Sequence, residues 1–217
     1  MKKLFVILLF FPGLLAGQQR LGFGIGTTQS FLRFSSDTGS ATNDLVGTPG
    51  VTASVFYQIN LSSYKGARGS KPGNYVSLEA GIKSSKLKDK QSTIATTWDI
   101  RYISGTLTYR RQKNSKGKVG PFYGAGLVYD VLLSGTQNRG VEQFNLKNEL
   151  NSVNLGATVE AGLRYYVSSE SVTTVRISYV RGFSNLEKDS GQSAYLDTIR
   201  LSIAMFFDLE SKNRYKR

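Results

Sequence analysis

The sequence predicts an all-β chain, an eight-stranded antiparallel up-and-down transmembrane β-barrel. Three observations predict it. Apolar residues recur at every second position over most of the 217 residues, the period of a strand with two unlike faces. The interleaved row carries glycine and charge where a water-facing row would carry ordinary polar residues. A short export-type leader comes before the first alternating segment.

The leader is Lys2 and Lys3, then Leu4 to Phe11 without a charge, then Pro12-Gly13 and the small residues Ala16 and Gly17. That order is the n-region, h-region and cleavage region of a secretory signal peptide. The apolar run is shorter than the about 20 residues a membrane-spanning helix needs. Three segments follow: residues 1–17 as signal peptide, 18–210 as barrel and 211–217 as a basic tail.

The alternating segments come in order. Leu21, Phe23 and Ile25 interleave with Gly22, Gly24 and Gly26. Val51, Ala53, Val55, Tyr57, Ile59 and Leu61 form the second segment, and Val76, Leu78, Ala80 and Ile82 the third. The fourth begins on Trp98, Ile100 and Tyr102 and changes phase to Ile103, Leu107 and Tyr109, which predicts a bulge at Tyr102-Ile103. Tyr123, Ala125, Leu127, Tyr129, Val131 and Leu133 are the fifth. Val153, Leu155, Ala157, Val159, Ala161, Leu163 and Tyr165 are the sixth and longest. Val175, Ile177 and Tyr179 are the seventh; Ile199, Leu201, Ile203, Met205 and Phe207 are the eighth. Eight strands in roughly 200 residues leave about 25 for each strand and its connection, against the about 9–11 a transmembrane strand requires.

The connections alternate in length, as in outer-membrane barrels with short periplasmic turns. Residues 35–48, 135–151 and 185–194 are long; 168–171 and 112–119 are short. Residues 62–74 break the pattern, being long and basic on the short side.

A membrane barrel puts its apolar row outside and its polar row inside, the reverse of a soluble barrel. The expected lumen charge network is Glu79, Lys83, Asp99, Arg101, Asp130, Glu160, Arg164, Arg176 and Arg200, four acids and five bases with room for near-complete pairing. The glycines make space for them. The expected lipid-facing aromatics are Phe23, Tyr57, Trp98, Tyr109, Tyr123, Tyr165 and Phe207, with Phe183 beside them, residue types that form interfacial girdles.

Composition narrows the chemistry. There is no Cys and no His, which removes disulfides, thiol nucleophiles, Cys/His metal sites and imidazole bases. Neither a cofactor nor a metal is expected. Gly22-Phe23-Gly24-Ile25-Gly26 lacks the spacing and the following helix of a phosphate loop. Asp99, Asp130 and Glu160 are a conceivable acid–base set, but their parity puts them beside arginines, so a structural charge network is the stronger reading. The excess of 28 Lys and Arg over 15 Asp and Glu has three uses. Nucleic acid is disfavoured, because no stacking aromatics accompany the charge. Lys83, Lys86, Lys88 and Lys90 suit anionic headgroups or lipopolysaccharide at the outer surface. Lys65, Arg68, Lys71, Arg110, Arg111, Lys113, Lys116, Lys118 and the tail suit a periplasmic protein partner, or simply a solvated rim.

From the fourth strand onward the chain carries Trp98-Asp99-Ile100-Arg101-Tyr102-Ile103, Gly120-Pro121-Phe122-Tyr123-Gly124-Ala125-Gly126-Leu127, Leu132-Leu133-Ser134-Gly135, Glu160-Ala161-Gly162-Leu163-Arg164-Tyr165-Tyr166, and the run from Ile177 to Leu186. In these stretches it resembles the small outer-membrane β-barrel family of Gram-negative bacteria known as porin-family or PorT-like proteins. The basic tail after Phe206-Phe207 departs from barrels that end on an aromatic. The resemblance implies the cell outer membrane and assembly by the barrel-insertion machinery, with no shared catalytic residues. The expected function is a non-enzymatic membrane anchor or envelope interaction protein, PorT-like in secretion or envelope assembly. A narrow solute channel and a soluble exported barrel binding an apolar ligand are the rival readings.

Overall fold

A computed structural model of the chain describes residues 19–35, 45–61, 73–89, 94–113, 118–168, 170–188 and 193–209. The signal-peptide and tail assignments, Lys65, Arg68, Lys71, Lys90 and Lys116 lie outside them.

Among the described residues nine strands form: β1 (Gln19–Ser35), β2 (Leu45–Asn60), β3 (Gly73–Asp89), β4 (Thr96–Gln112), β5 (Val119–Arg139), β6 (Glu142–Asn145), β7 (Val153–Tyr166), β8 (Ser171–Gly182) and β9 (Ser193–Asp208). The sheet order is β4-β3-β2-β1-β9-β8-β7-β5, and β4 pairs with β5 to close the ring. Every pairing is antiparallel, and β1 closes on β9 from Arg20↔Asp208 to Ser35↔Ser193. Closure leaves no barrel edge, so backbone donors and acceptors are paired around the ring. The ninth strand is an addition within the predicted 135–151 loop. There β6 folds back on β5 from Thr136↔Asn145 to Arg139↔Glu142, turning at Gly140, whose φ of +61° few other residues adopt. β7 and β8 are joined by a short connection, across which the Val167 N–H donates to the Ser171 carbonyl at 3.1 Å. By the outer-membrane rule this end is periplasmic and the β5–β6 hairpin extracellular.

Side chains sort by parity. On β7, Leu155, Val159 and Leu163 are 47, 57 and 54% exposed while Glu160 and Arg164 are 5 and 1% exposed. The same division runs through the ring: Ile25, Ile82, Leu107, Leu127, Ile177 and Leu201 point out, and Thr28, Gln58, Thr108, Asp130, Ser178 and Thr198 point in.

Two bulges accommodate the curvature. Tyr102 pairs with Leu132 and Arg101 with Ser134, so Leu133 on β5 is the extra residue. The predicted bulge is at this level, but it lies on the partner strand, and β4 keeps one phase throughout. The second lies where the alternating pattern predicts none. Thr48 pairs with Lys86 and Thr52 with Lys83, so Pro49, Gly50 and Val51 face only two residues. Proline lacks the N–H a ladder needs and suits a bulge. The displaced groups find new partners. The Val51 N–H donates to Ser84 Oγ at 2.9 Å and Thr28 Oγ1 donates to the Ser84 carbonyl at 2.6 Å.

Glycines on the inner row serve close approach. A Cβ on Gly162 would stand 2.3 Å from the Val175 carbonyl oxygen and 2.7 Å from the Phe122 ring. Backbone cannot yield as a side chain can, so Gly162→Leu is expected to destabilise the barrel by about 1–3 kcal/mol or more. The loss of the heat-modifiable folded band on unboiled gels measures it; a band as intense as that of the native chain would contradict the packing described.

Candidate functional site: a filled lumen inside an apolar wall

The inner row of β3 reads out the lumen in layers, four residues apart: Tyr75, Glu79, Lys83 and Leu87, all buried.

At the periplasmic layer, the Tyr75 ring lies 4.3 Å from the Arg164 guanidinium. Arg164 donates to Gln58 Oε1 at 2.7 Å and to Gln112 Oε1 at 3.0 Å. This cation is therefore held by amide oxygens and a ring face. Arg20 pairs with Asp208 at 2.5 Å where β1 meets β9, and Phe56 packs on Phe206 with centroids 5.4 Å apart.

The Glu79 layer is a five-membered chain of alternating charge. Arg200 donates to Glu79 at 2.6 and 3.1 Å. Arg176 Nη1 bridges Glu79 at 3.0 Å and Glu160 at 3.1 Å. Glu160 also accepts two bonds from Arg110. The members stand on β9, β3, β8, β7 and β4, so the chain ties five of the eight barrel strands across the lumen. Gly124 makes room for it: a Cβ there would meet Glu160 Oε1 and Arg110 Cγ at 3.1 Å.

At the Lys83 layer, Lys83 pairs with Asp130 at 2.5 Å, which also accepts from Asn154 Nδ2 at 3.3 Å. Lys83 lies 5.2 Å from the Tyr102 ring. Above it the lumen turns apolar. Leu87, Ile100, Tyr102, Leu132, Leu186 and Leu196 pack with Leu146 and Leu150 from the turn after β6. The extracellular loops lock this plug: Asn151 Nδ2 donates to the Asn185 and Glu187 carbonyls at 2.9 and 3.1 Å.

The predicted network residues thus divide. Glu79, Lys83, Asp130, Glu160, Arg164, Arg176 and Arg200 are buried in the lumen. Asp99 and Arg101 are not: they lie on the outer face of β4, paired with each other at 3.3 Å. Trp98 is the corresponding correction among the aromatics, because it packs inward against the plug. One cause explains all three. The extra residue is on β5, so β4 does not change phase, and Trp98 shares the face of Thr106, Thr108 and Arg110. Phe23, Tyr109, Tyr123, Tyr165 and Phe207 are exposed on the outer wall, with Tyr57 half-buried. All six stand toward the periplasmic ends of their strands. Tyr129, Tyr179 and Phe183 are exposed nearer the other end. Arg110 was the chief omission. Two residues beyond Thr108 on the inner row, it is fully enclosed and not at the rim.

The outer wall decides the setting. Leu155 to Tyr165 is ten residue steps, about 33 Å of strand, or about 25 Å of depth at a 40° tilt, the height of an outer-membrane apolar band. A continuous apolar belt of that size in water far exceeds the patches soluble monomers expose, and a charged interior inside it is the inverse of a soluble barrel.

The chain is an outer-membrane β-barrel. No protein-family model matches it, and no curated protein sequence does. Among solved structures it is similar to the outer membrane protein OprG of Pseudomonas aeruginosa (TM-score 0.45, 13% identity, 88% of this chain and 96% of that one). It is also similar to neisserial surface protein A (0.42, 12%, 85% and 96%), and to the attachment invasion locus protein Ail of Yersinia pestis in complex with the heparin analogue sucrose octasulfate (0.41, 15%, 88% and 99%). These likenesses concern fold alone; the membrane assignment stands on the side-chain distribution.

Proposed function

We propose that this protein is a non-conducting, non-enzymatic barrel that works through its outer surfaces, anchoring an extracellular platform for envelope or surface interactions. The layered filling of the lumen carries this reading. The five-membered charge chain spans its middle, and the apolar plug, locked by Asn151, stops its extracellular end. Among the described residues the lumen carboxylates Glu79, Asp130 and Glu160 are each engaged by a cation, which leaves none of the three poised as a free general base. The platform is the β5–β6 hairpin, whose tip residue Val141 is fully exposed beside Phe144. A finer assignment, to secretion or envelope assembly in the manner of PorT-like proteins, rests on the resemblance around residues 98–103, 120–127 and 160–166.

Planar-bilayer recording tests the filled lumen. The purified chain is expected to give no steady openings of porin size; such openings would favour a channel and overturn this reading. A photocrosslinker at Val141 in intact cells tests the platform. Light-dependent protein adducts at Val141, absent for a crosslinker at the lipid-facing Val175, are expected. Equal or absent adducts at both positions would oppose it.

A further inference from the structure

The outer wall is not evenly convex. Two hollows of about 630 and 920 Å³ adjoin on it, sharing Ile25, Ala53, Ile82 and Ile203, and together run along strands β8, β9 and β1–β4. Sequence explains the trough. Its floor is the backbone at Gly24, Gly26 and Gly81, where the wall sinks inward. A Cβ on Gly26 would lie 2.4 Å from the Leu201 carbonyl oxygen, and one on Gly81 2.3 Å from that of Ala53. Outward alanines, Ala53 and Ala80, keep it open.

The trough changes character along its length. The periplasmic part is bounded by Phe23, Val55 and Met205, and the extracellular part reaches Lys86, Asp99 and Arg101. Lys86 stands directly across from Asp99 in the β3–β4 register, and Asp99 is bonded to Arg101. Two cations therefore flank one carboxylate, which is bonded to Arg101, on a wall that faces lipid. An uncompensated cation at such a place is costly unless an anion meets it. Lys88, exposed one outward position above Lys86, adds to the charge. A long alkyl slot ending in surplus positive charge matches one kind of membrane molecule, an acylated phosphate. The cations lie at the end opposite the short β7–β8 connection, so that molecule is drawn from the outer leaflet.

We propose that this trough is a binding site for one lipid A-type phosphoglycolipid, an acyl chain lying over Ile25, Ala53 and Ile82 and a phosphate held by Lys86 and Arg101. The inference goes beyond the interaction role above and does not depend on it, since a conducting barrel would carry the same wall.

Native mass spectrometry of the full chain released from detergent, with purified lipid A added, tests it. The native chain is expected to retain one lipid A. Lys86→Gln with Arg101→Gln should lower retention at least tenfold. Ala53→Phe, which fills the trough from its lipid side, should do the same while leaving the heat-modifiable gel shift intact. Lys147→Gln, on the extracellular turn, should change nothing. Dephosphorylated lipid A should be retained poorly. The proposal is overturned by no retention in the native chain, by retention indifferent to both trough variants, or by equal retention of phosphatidylglycerol, which would assign the site to glycerophospholipids.

Discussion

Glu79→Gln is expected to lower the unfolding free energy by about 3–5 kcal/mol, the cost of stranding a buried cation whose partner has been neutralised. Glu79 accepts both bonds of the Arg200 fork and one from Arg176. Arg176 keeps Glu160 when Glu79 is gone, but Arg200 keeps only Ser178 Oγ at 3.3 Å. The lumen already holds more cations than carboxylates: the chain sets Arg110, Arg176 and Arg200 against Glu79 and Glu160, and Arg164 adds a cation held by amide oxygens and a ring. Urea unfolding in phosphatidylcholine vesicles, followed by the fluorescence of Trp98, the chain's one tryptophan, measures the loss. Adding Arg200→Gln to Glu79→Gln should restore much of it, since the stranded charge goes with it. A loss under about 1 kcal/mol would mean that water reaches these side chains, and the filled-lumen account would fail.

The second large effect belongs to the outer wall. Val159 stands between Leu155 and Leu163 on the longest apolar row, 57% exposed. Val159→Arg is expected to cost about 2–4 kcal/mol, the penalty for arginine near the middle of a barrel's lipid face. Val159→Leu should be neutral. Folding yield and urea midpoint in vesicles measure both. An arginine tolerated as well as leucine would place that face in water.

Much of this barrel was legible in the sequence because a strand's period of two labels its faces. Where the inside is charged and the outside apolar, as from Tyr165 up to Leu155, parity alone assigns each residue. The rule weakens at the extracellular end, where the lumen itself becomes apolar. Trp98, Ile100 and Tyr102 then look like a lipid-facing row although they form part of the plug. A bulge reports that two strands differ by one residue without saying which carries it, and the choice of β4 over β5 misplaced Asp99 and Arg101. The Pro49-Gly50 bulge had a signal, a Pro-Gly pair directly before the alternating row that starts at Val51. Arg110 had one too, its parity with Thr106 and Thr108. The β6 hairpin and the trough arise from long-range packing, and no short pattern announces either.

The central claim is that the apolar row meets hydrocarbon while the glycine-and-charge row fills the lumen. With no native cysteine, single-cysteine nitroxide labels report it directly by electron paramagnetic resonance in reconstituted vesicles. Labels at Leu155, Val159 and Leu163 are predicted to collide with oxygen dissolved in the bilayer and to be shielded from an aqueous nickel chelate, while labels at Asn154 and Thr158 are shielded from both. Labels at 155, 159 and 163 that the nickel chelate reaches freely and membrane oxygen does not would contradict the account.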